Sequence, residues 1–182
     1  LNSGAPAPEF SATDTQGRTG RVADFKGRHV VLEWVNPGCP YVRKHYGSGN
    51  MPATQKDAAA RGVVWLAVNS TDDGHGDYLP PQQLDAWMAQ HQAAATATLM
   101  DASGRIGRAY GARTTPHMYV IDPQGVLRYA GAIDDKPTAN PADIPGATNH
   151  VRKALDEVLA GKPVSVATTR AYGCSVKYGS AS

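Results

Sequence analysis

Two cysteines are the residues best suited to chemistry in this chain, and they stand near opposite ends of it, at Cys39 and Cys174. Cys39 lies in Asn36-Pro37-Gly38-Cys39-Pro40, directly after the apolar run His29–Val35 and where a helix can begin. Unpaired N–H groups at a helix start, with the positive end of its dipole, favour thiolate over thiol. Arg43 and Lys44 lie about one turn further on and add positive potential. A lone cysteine is also a common small core hydrophobe. The prolines and glycine that fix the loop around Cys39 favour the reactive thiol. Glu33 is the sole charge among Val31, Leu32, Trp34 and Val35. A carboxyl buried there would have a raised pKa and serve as an acid or base near neutrality. The other reading is an edge position that reaches solvent or a salt bridge.

The remaining polar clusters say less. No CxxC or CxxxC spacing supplies a zinc or iron–sulfur site, and two thiols make no disulfide scaffold. Asp72, Asp73, His75 and Asp77 read as a hydrated loop without calcium-ligand spacing. Trp65, Trp87 and Tyr119 read as core, and Tyr41 as part of the lip beside Cys39.

These residues need elements to hold them. Phe10–Thr13 and Thr19–Val22 flank Thr15-Gln16-Gly17 as a hairpin. His29–Val35 and Gly62–Asn69 read as strands buried on both faces. A helix starts at Cys39, breaks at Gly47–Gly49 and resumes over about Pro52–Ala60. Pro80-Pro81 opens a helix with Leu84, Trp87, Met88 and His91 on one face. Strand Ala97–Met100, helix Arg105–Tyr110 and strand Met118–Ile121 follow. The turn Asp122-Pro123-Gln124-Gly125 then leads into strand Val126–Ala130. A last helix runs over about Thr148–Ala160. The order predicts an α/β fold, a mixed central sheet flanked by helices, with an N-terminal β-hairpin and a C-terminal tail.

Composition sets the outer bounds. Of 182 residues, 41% are hydrophobic and 19% charged, which fits one globular domain with a sizeable core. We expect a single domain over 1–182, its core about 7–161 and its tail 162–182 carrying Cys174. Eighteen Lys and Arg against sixteen Asp and Glu leave a formal charge of +2, interspersed. That pattern gives no nucleic-acid or membrane-surface footprint, and no apolar stretch approaches the ~20 residues of a membrane span. Asn2-Ser3-Gly4-Ala5-Pro6-Ala7-Pro8 could be what remains after removal of a signal.

The pattern strand–xxxCPxx–helix, followed by Thr115-Pro116 and the strand His117–Asp122, resembles the thioredoxin fold. Ala7-Pro8-Glu9-Phe10-Ser11 is similar to the start of AhpC/TSA redoxins. Asn36–Val42, Tyr46–Met51, Gly131–Asp135 and Tyr172–Tyr178 resemble a peroxiredoxin-like branch, so the likeness runs from about Ala7 to Tyr178. It implies a cis proline at Pro116 packed beside the active cysteine. It also implies a groove formed with Asn36, Pro40, Tyr41, Arg113, Thr115 and His117, whose backbone can pair with an extended substrate segment. At the offset of Glu33, thioredoxins place a buried acid that passes protons to the departing thiol. The second thioredoxin cysteine is replaced here by Val42. The peroxiredoxin pattern P-x-x-x-T/S-x-x-C meets Leu32 and Asn36, and its arginine has no clear counterpart, although Arg113 is near in sequence.

Cys174 is then the natural second thiol, as a resolving cysteine on a mobile tail, a structural tether, or a free thiol. The resemblance implies a thiol–disulfide oxidoreductase with Cys39 as nucleophile. Its partners are a thiol or disulfide protein, or a peroxide, and an external thiol reductant. No cofactor, metal, nucleic acid or membrane is expected. The alternatives are a thiol-dependent peroxidase, a non-catalytic binding module, or a copper carrier using Cys39, Cys174 and His117. Sco-type copper carriers resemble redoxins but have CxxxC, and position 43 here is Arg43. A periplasmic or otherwise exported location is favoured over a cytoplasmic one.

Overall fold

Near-continuous apolar strands require cover on both faces, and the computed structural model, which describes residues 2–180, supplies it. Strands β1 (Ser11–Asp14), β2 (Thr19–Arg21), β3 (Val30–Trp34), β4 (Val64–Asn69), β5 (Ala97–Met100), β7 (Met118–Ile121) and β8 (Leu127–Gly131) form one mixed sheet. Its order is β2-β1-β5-β4-β3-β7-β8. The central pairs β3/β4 and β4/β5 are parallel, and β3/β7 and β7/β8 are antiparallel. The helices are α1 (Pro40–Gly47), α2 (Asn50–Ala60), α3 (Pro81–Gln90), α4 (Arg105–Tyr110) and α5 (His150–Leu159).

Alternation along β3 sorts the side chains. Val30, Leu32 and Trp34 join Leu66, Tyr110 and Tyr119 on one face. Val31 joins Cys39, Tyr46, Trp65, Met118 and Leu155 on the other, under α1, α2, α3 and α5. Glu33 shares this second face by parity. Every β3 residue is buried, Glu33 included. The edge-strand reading of Glu33 is therefore wrong: β3 is flanked by β4 and β7 on both sides.

Several expected bounds shift by a residue or two. The first helix ends at Gly47, and α2 starts two residues earlier than expected, behind Gly49 in the left-handed region at φ 82°. The last helix begins at His150, because the Asn149 side chain accepts from the Arg152 N–H and caps it there.

The tail departs most from expectation. Its Cys174–Ser175 forms strand β9, paired antiparallel with β6 (Thr114–Thr115). Further up the tail, Thr169 donates its N–H to Ala130 O and its Oγ1 accepts from the Ala132 N–H at 2.8 Å. Further down, Tyr178 donates to Ala112 O at 2.6 Å and stacks under Arg108, 4.8 Å from its ring centroid. In this oxidised state the tail is tied at intervals from Thr169 to Tyr178.

Candidate active site

The chain reverses from buried strand to helix within Val35–Pro40, and local bonds dictate that turn. The Cys39 N–H donates to Asn36 O at 3.0 Å, and the Gly38 N–H to Asn36 Oδ1 at 2.9 Å. Asn36 Nδ2 in turn donates to Asp77 Oδ2 at 3.0 Å. Asp77 also packs on Gly38, where a Cβ would stand 2.8 Å from its carboxyl carbon. Asp77 is thus a buttress of the cysteine loop and not merely part of a hydrated loop. Cys39 caps α1, with Pro40 at the first helical position.

Cys39 is bonded to Cys174. Cys39 is 1% exposed, whereas Cys174 is half-buried. The Thr115–Pro116 peptide is cis, and Cys39 Sγ lies 3.4 Å from Thr115 O. Thr115 is the register partner of Cys174, so the disulfide, the proline loop and the tail strand meet at one point. Thr115 Oγ1 is buried and lacks a hydrogen-bond partner among the described residues.

Glu33 occupies the sheet face beneath α1. Tyr46 donates to its Oε2 at 2.6 Å, while Gln55 Nε2 at 3.0 Å and Trp65 Nε1 at 2.8 Å donate to Oε1. Burial pushes its pKa up to about 7, against the pull of those three donors. Its hydrogen bonds run to α1, α2 and β4, and among the described residues none goes to a sulfur. The salt-bridge reading also fails, since its partners are neutral. Trp65, read as plain core, holds this carboxyl.

A second polar cluster lies on the other side of α1. Lys44 is 2% exposed, His45 0% and Asp134 2%. Lys44 does not point its charge at Cys39: Nζ donates to Lys136 O at 2.9 Å and to the Tyr172 hydroxyl at 3.3 Å. That hydroxyl donates to Asp134 Oδ1 at 2.6 Å and lies 2.9 Å from His45 Nε2. With its one proton on Asp134, the phenol oxygen accepts from His45, which assigns the proton to Nε2. His45 Nδ1 then accepts from Asn50 Nδ2 at 2.9 Å. Burial lowers the pKa of His45, outweighing Asp134, so the ring is neutral. The Tyr41 ring meets Tyr172 edge-on at 5.8 Å. The helical signal for this cluster is thin, because its four members come from α1, a loop and the tail.

The other expected groove residues divide. The Arg113 side chain is exposed, but its backbone carbonyl accepts from the Val176 N–H at 3.0 Å. His117 Nδ1 accepts from the Arg113 N–H at 3.1 Å, and its ring stacks on Tyr119 at 4.8 Å. Burial, followed by Arg113, brings its pKa down to about 4. Both sulfurs required by the copper alternative are bonded to each other in this state.

Comparison with known proteins places this geometry. A family model described as the AhpC/TSA family matches residues 3–130. A Pseudomonas aeruginosa thiol:disulfide interchange protein, DsbE, is 27% identical over 73% of this chain and 69% of its own length. The Geobacillus thermodenitrificans thiol-disulfide oxidoreductase ResA is 26% identical over 69% of this chain and 66% of its own. The chain thus spans about two thirds of the length of these relatives. A hypothetical protein of Sinorhizobium meliloti shares the fold along the whole chain: TM-score 0.84, 24% identity, 100% of this chain and 97% of that one.

Proposed function

The chain belongs to the AhpC/TSA family of thioredoxin-fold redoxins, and from that premise we propose that it is a thiol–disulfide oxidoreductase working through Cys39 and Cys174. The observation that carries this reading is the bond between a cysteine capping a helix and a cysteine on a strand laid against the Thr115-Pro116 loop. Resemblance to oxidoreductases of that description supports it.

In the reductive direction the Cys39 thiolate, favoured at the helix start, attacks one sulfur of a substrate disulfide. A mixed disulfide forms, and the other substrate sulfur leaves as a thiolate and takes up a proton. Cys174 thiolate then attacks Cys39 Sγ, the Cys39–Cys174 bond forms, and the remaining substrate sulfur departs. Two electrons pass from the cysteine pair to the substrate, and an external dithiol returns them by the same exchange. That dithiol meets the half-buried Cys174 more readily than the buried Cys39, and attack there releases Cys39, the better-stabilised leaving group.

Glu33 is the buried group whose titration near neutrality suits proton exchange with departing thiolates, joined to α1 through Tyr46. Pro116 shapes the groove floor. Such a pair belongs in an oxidising, exported setting, where a disulfide persists between turnovers.

Mass spectrometry of the reduced protein tests the reading. Oxidised glutathione should give a mixed disulfide at Cys39 that resolves to the Cys39–Cys174 bond. Rapid oxidation of Cys39 by peroxide, with no reaction toward disulfides, would move the function to peroxidase. An inert Cys39 would overturn both.

A further inference from the structure

The tail lies in the groove as a bound peptide would. Thr114 and Thr115 pair with Ser175 and Cys174, and Arg113 O takes the Val176 N–H. This is strand addition, in which backbone pairing gives affinity and side-chain pockets give choice.

Two contacts choose. The first surrounds Tyr172, two residues before the cysteine. Its hydroxyl bridges Lys44, His45 and Asp134, and its ring meets Tyr41. These three polar side chains are nearly fully buried, and Asp134 Oδ2 has no hydrogen-bond partner among the described residues. Removing the phenol takes the side-chain donor from Asp134 Oδ1 and an acceptor from both Lys44 and His45. Buried polar groups left in that condition are costly, so the pocket favours a guest that brings a hydroxyl back. The second contact is at Gly173, where φ is 144° and a Cβ would stand 2.1 Å from Thr115 O. Only glycine lets the guest backbone approach the loop that closely.

We propose that the groove is a recognition site for extended polypeptides of the form Tyr-Gly-Cys, with the tail as its intramolecular occupant. This rests on the thiol-exchange reading above. The substrate segment displaces the tail, presents its cysteine sulfur to Cys39, and leaves when Tyr172-Gly173-Cys174 returns.

The test uses the full-length Cys174→Ser chain and a peptide copying residues 170–177, its cysteine activated as a mixed disulfide with thionitrobenzoate. Cys39 thiolate attacks the peptide sulfur, a protein–peptide disulfide forms, and yellow thionitrobenzoate leaves. The tyrosine peptide should be captured about tenfold faster than one carrying phenylalanine there, the value of one charge-assisted hydrogen bond. A peptide with alanine for its glycine should be slower still. The tyrosine preference should disappear in the Asp134→Ala/Cys174→Ser chain. Should that variant not fold, the wild-type chain serves instead. A serine-for-cysteine copy of the tyrosine peptide should then slow closure of its own disulfide more than the phenylalanine copy does. Equal rates for all peptides, with 5,5′-dithiobis(2-nitrobenzoate) still attacked by Cys39, would overturn the recognition site and leave thiol exchange standing. Failure with that small disulfide as well would overturn thiol exchange itself.

Discussion

The two halves of the disulfide are held by different kinds of force. Cys39 ends a segment anchored in the middle of the sheet, with β4 and β7 on either side of β3 and apolar side chains over both faces. Cys174 sits on a two-residue strand, half exposed, secured by backbone pairing, by hydroxyl groups of Thr169, Tyr172 and Tyr178, and by a smaller apolar contact in which Tyr172 and Cys174 only partly bury against the core. Burial of large apolar surface is shared over many residues and resists local opening. A polar strap depends on a few bonds that water can replace. On the function proposed above, the first thiol stays fixed and the second is the one that must come away, and this contrast supports that reading.

The largest test of this contrast is chemical. Cys39→Ser should abolish capture of any disulfide, a loss of several orders of magnitude. Cys174→Ser should capture one equivalent and stall as the mixed disulfide, read by intact-mass spectrometry. Equal behaviour of the two variants would remove the distinction between attacking and resolving thiols.

Next comes reduction. The disulfide closes a loop of 135 residues, for which chain entropy sets a ceiling of ~4–5 kcal/mol on the stability lost. Hydrogen exchange should show the Thr169 and Val176 amides losing protection while β3 and β4 amides keep theirs. Loss spread evenly over the sheet would mean that the tail is part of the core.

Glu33 gives a smaller effect with a definite sign. Its folded pKa of about 7 lies above the ordinary 4.5, so the native state binds the proton more tightly than the unfolded one. Stability is then unaffected by this group below about pH 4.5 and falls as pH rises from there through 7. The full loss is about 3 kcal/mol. Glu33→Gln should flatten that slope in urea titrations across pH 4–8. An unchanged slope would show the carboxyl ionised at no cost.

The smallest effect expected is that of Tyr172→Phe, which keeps the ring against Tyr41 and removes the hydroxyl from Asp134. It should weaken closure of the Cys39–Cys174 bond by about 1.5 kcal/mol, seen as a more readily reduced disulfide in glutathione redox titration.

How legible each region was in the sequence follows the same division. Strands β5 and β7 and helix α4 fall where apolar runs and turn chemistry put them, with Asp122 O taking the Gly125 N–H at the expected turn. Cys39 was conspicuous because proline and glycine surround it. The tail was not, since hydroxyls and backbone pairing leave no period to read. Sequence spacing puts Lys44 one turn beyond Cys39, but it does not say which way α1 is rotated, and its Nζ turns to Lys136 O and Tyr172. Asp77 looked solvated because its partner, Asn36, is remote in sequence.

The covalent ring has a mechanical consequence. It encloses everything from α1 to β9, while β1, β2 and β3 lie outside it. Pulled from the N-terminal side against the C-terminal side, the oxidised chain can yield only the segments beyond its two cysteines. Strands β1 and β2 peel first from one edge of the sheet, and β3, the strand between β4 and β7, is the last element so extracted. Reduction would release a further 135 residues of hidden length, roughly 450–490 Å of contour. Under tension the redox state would thus set whether the chain stretches as a short leash or a long one.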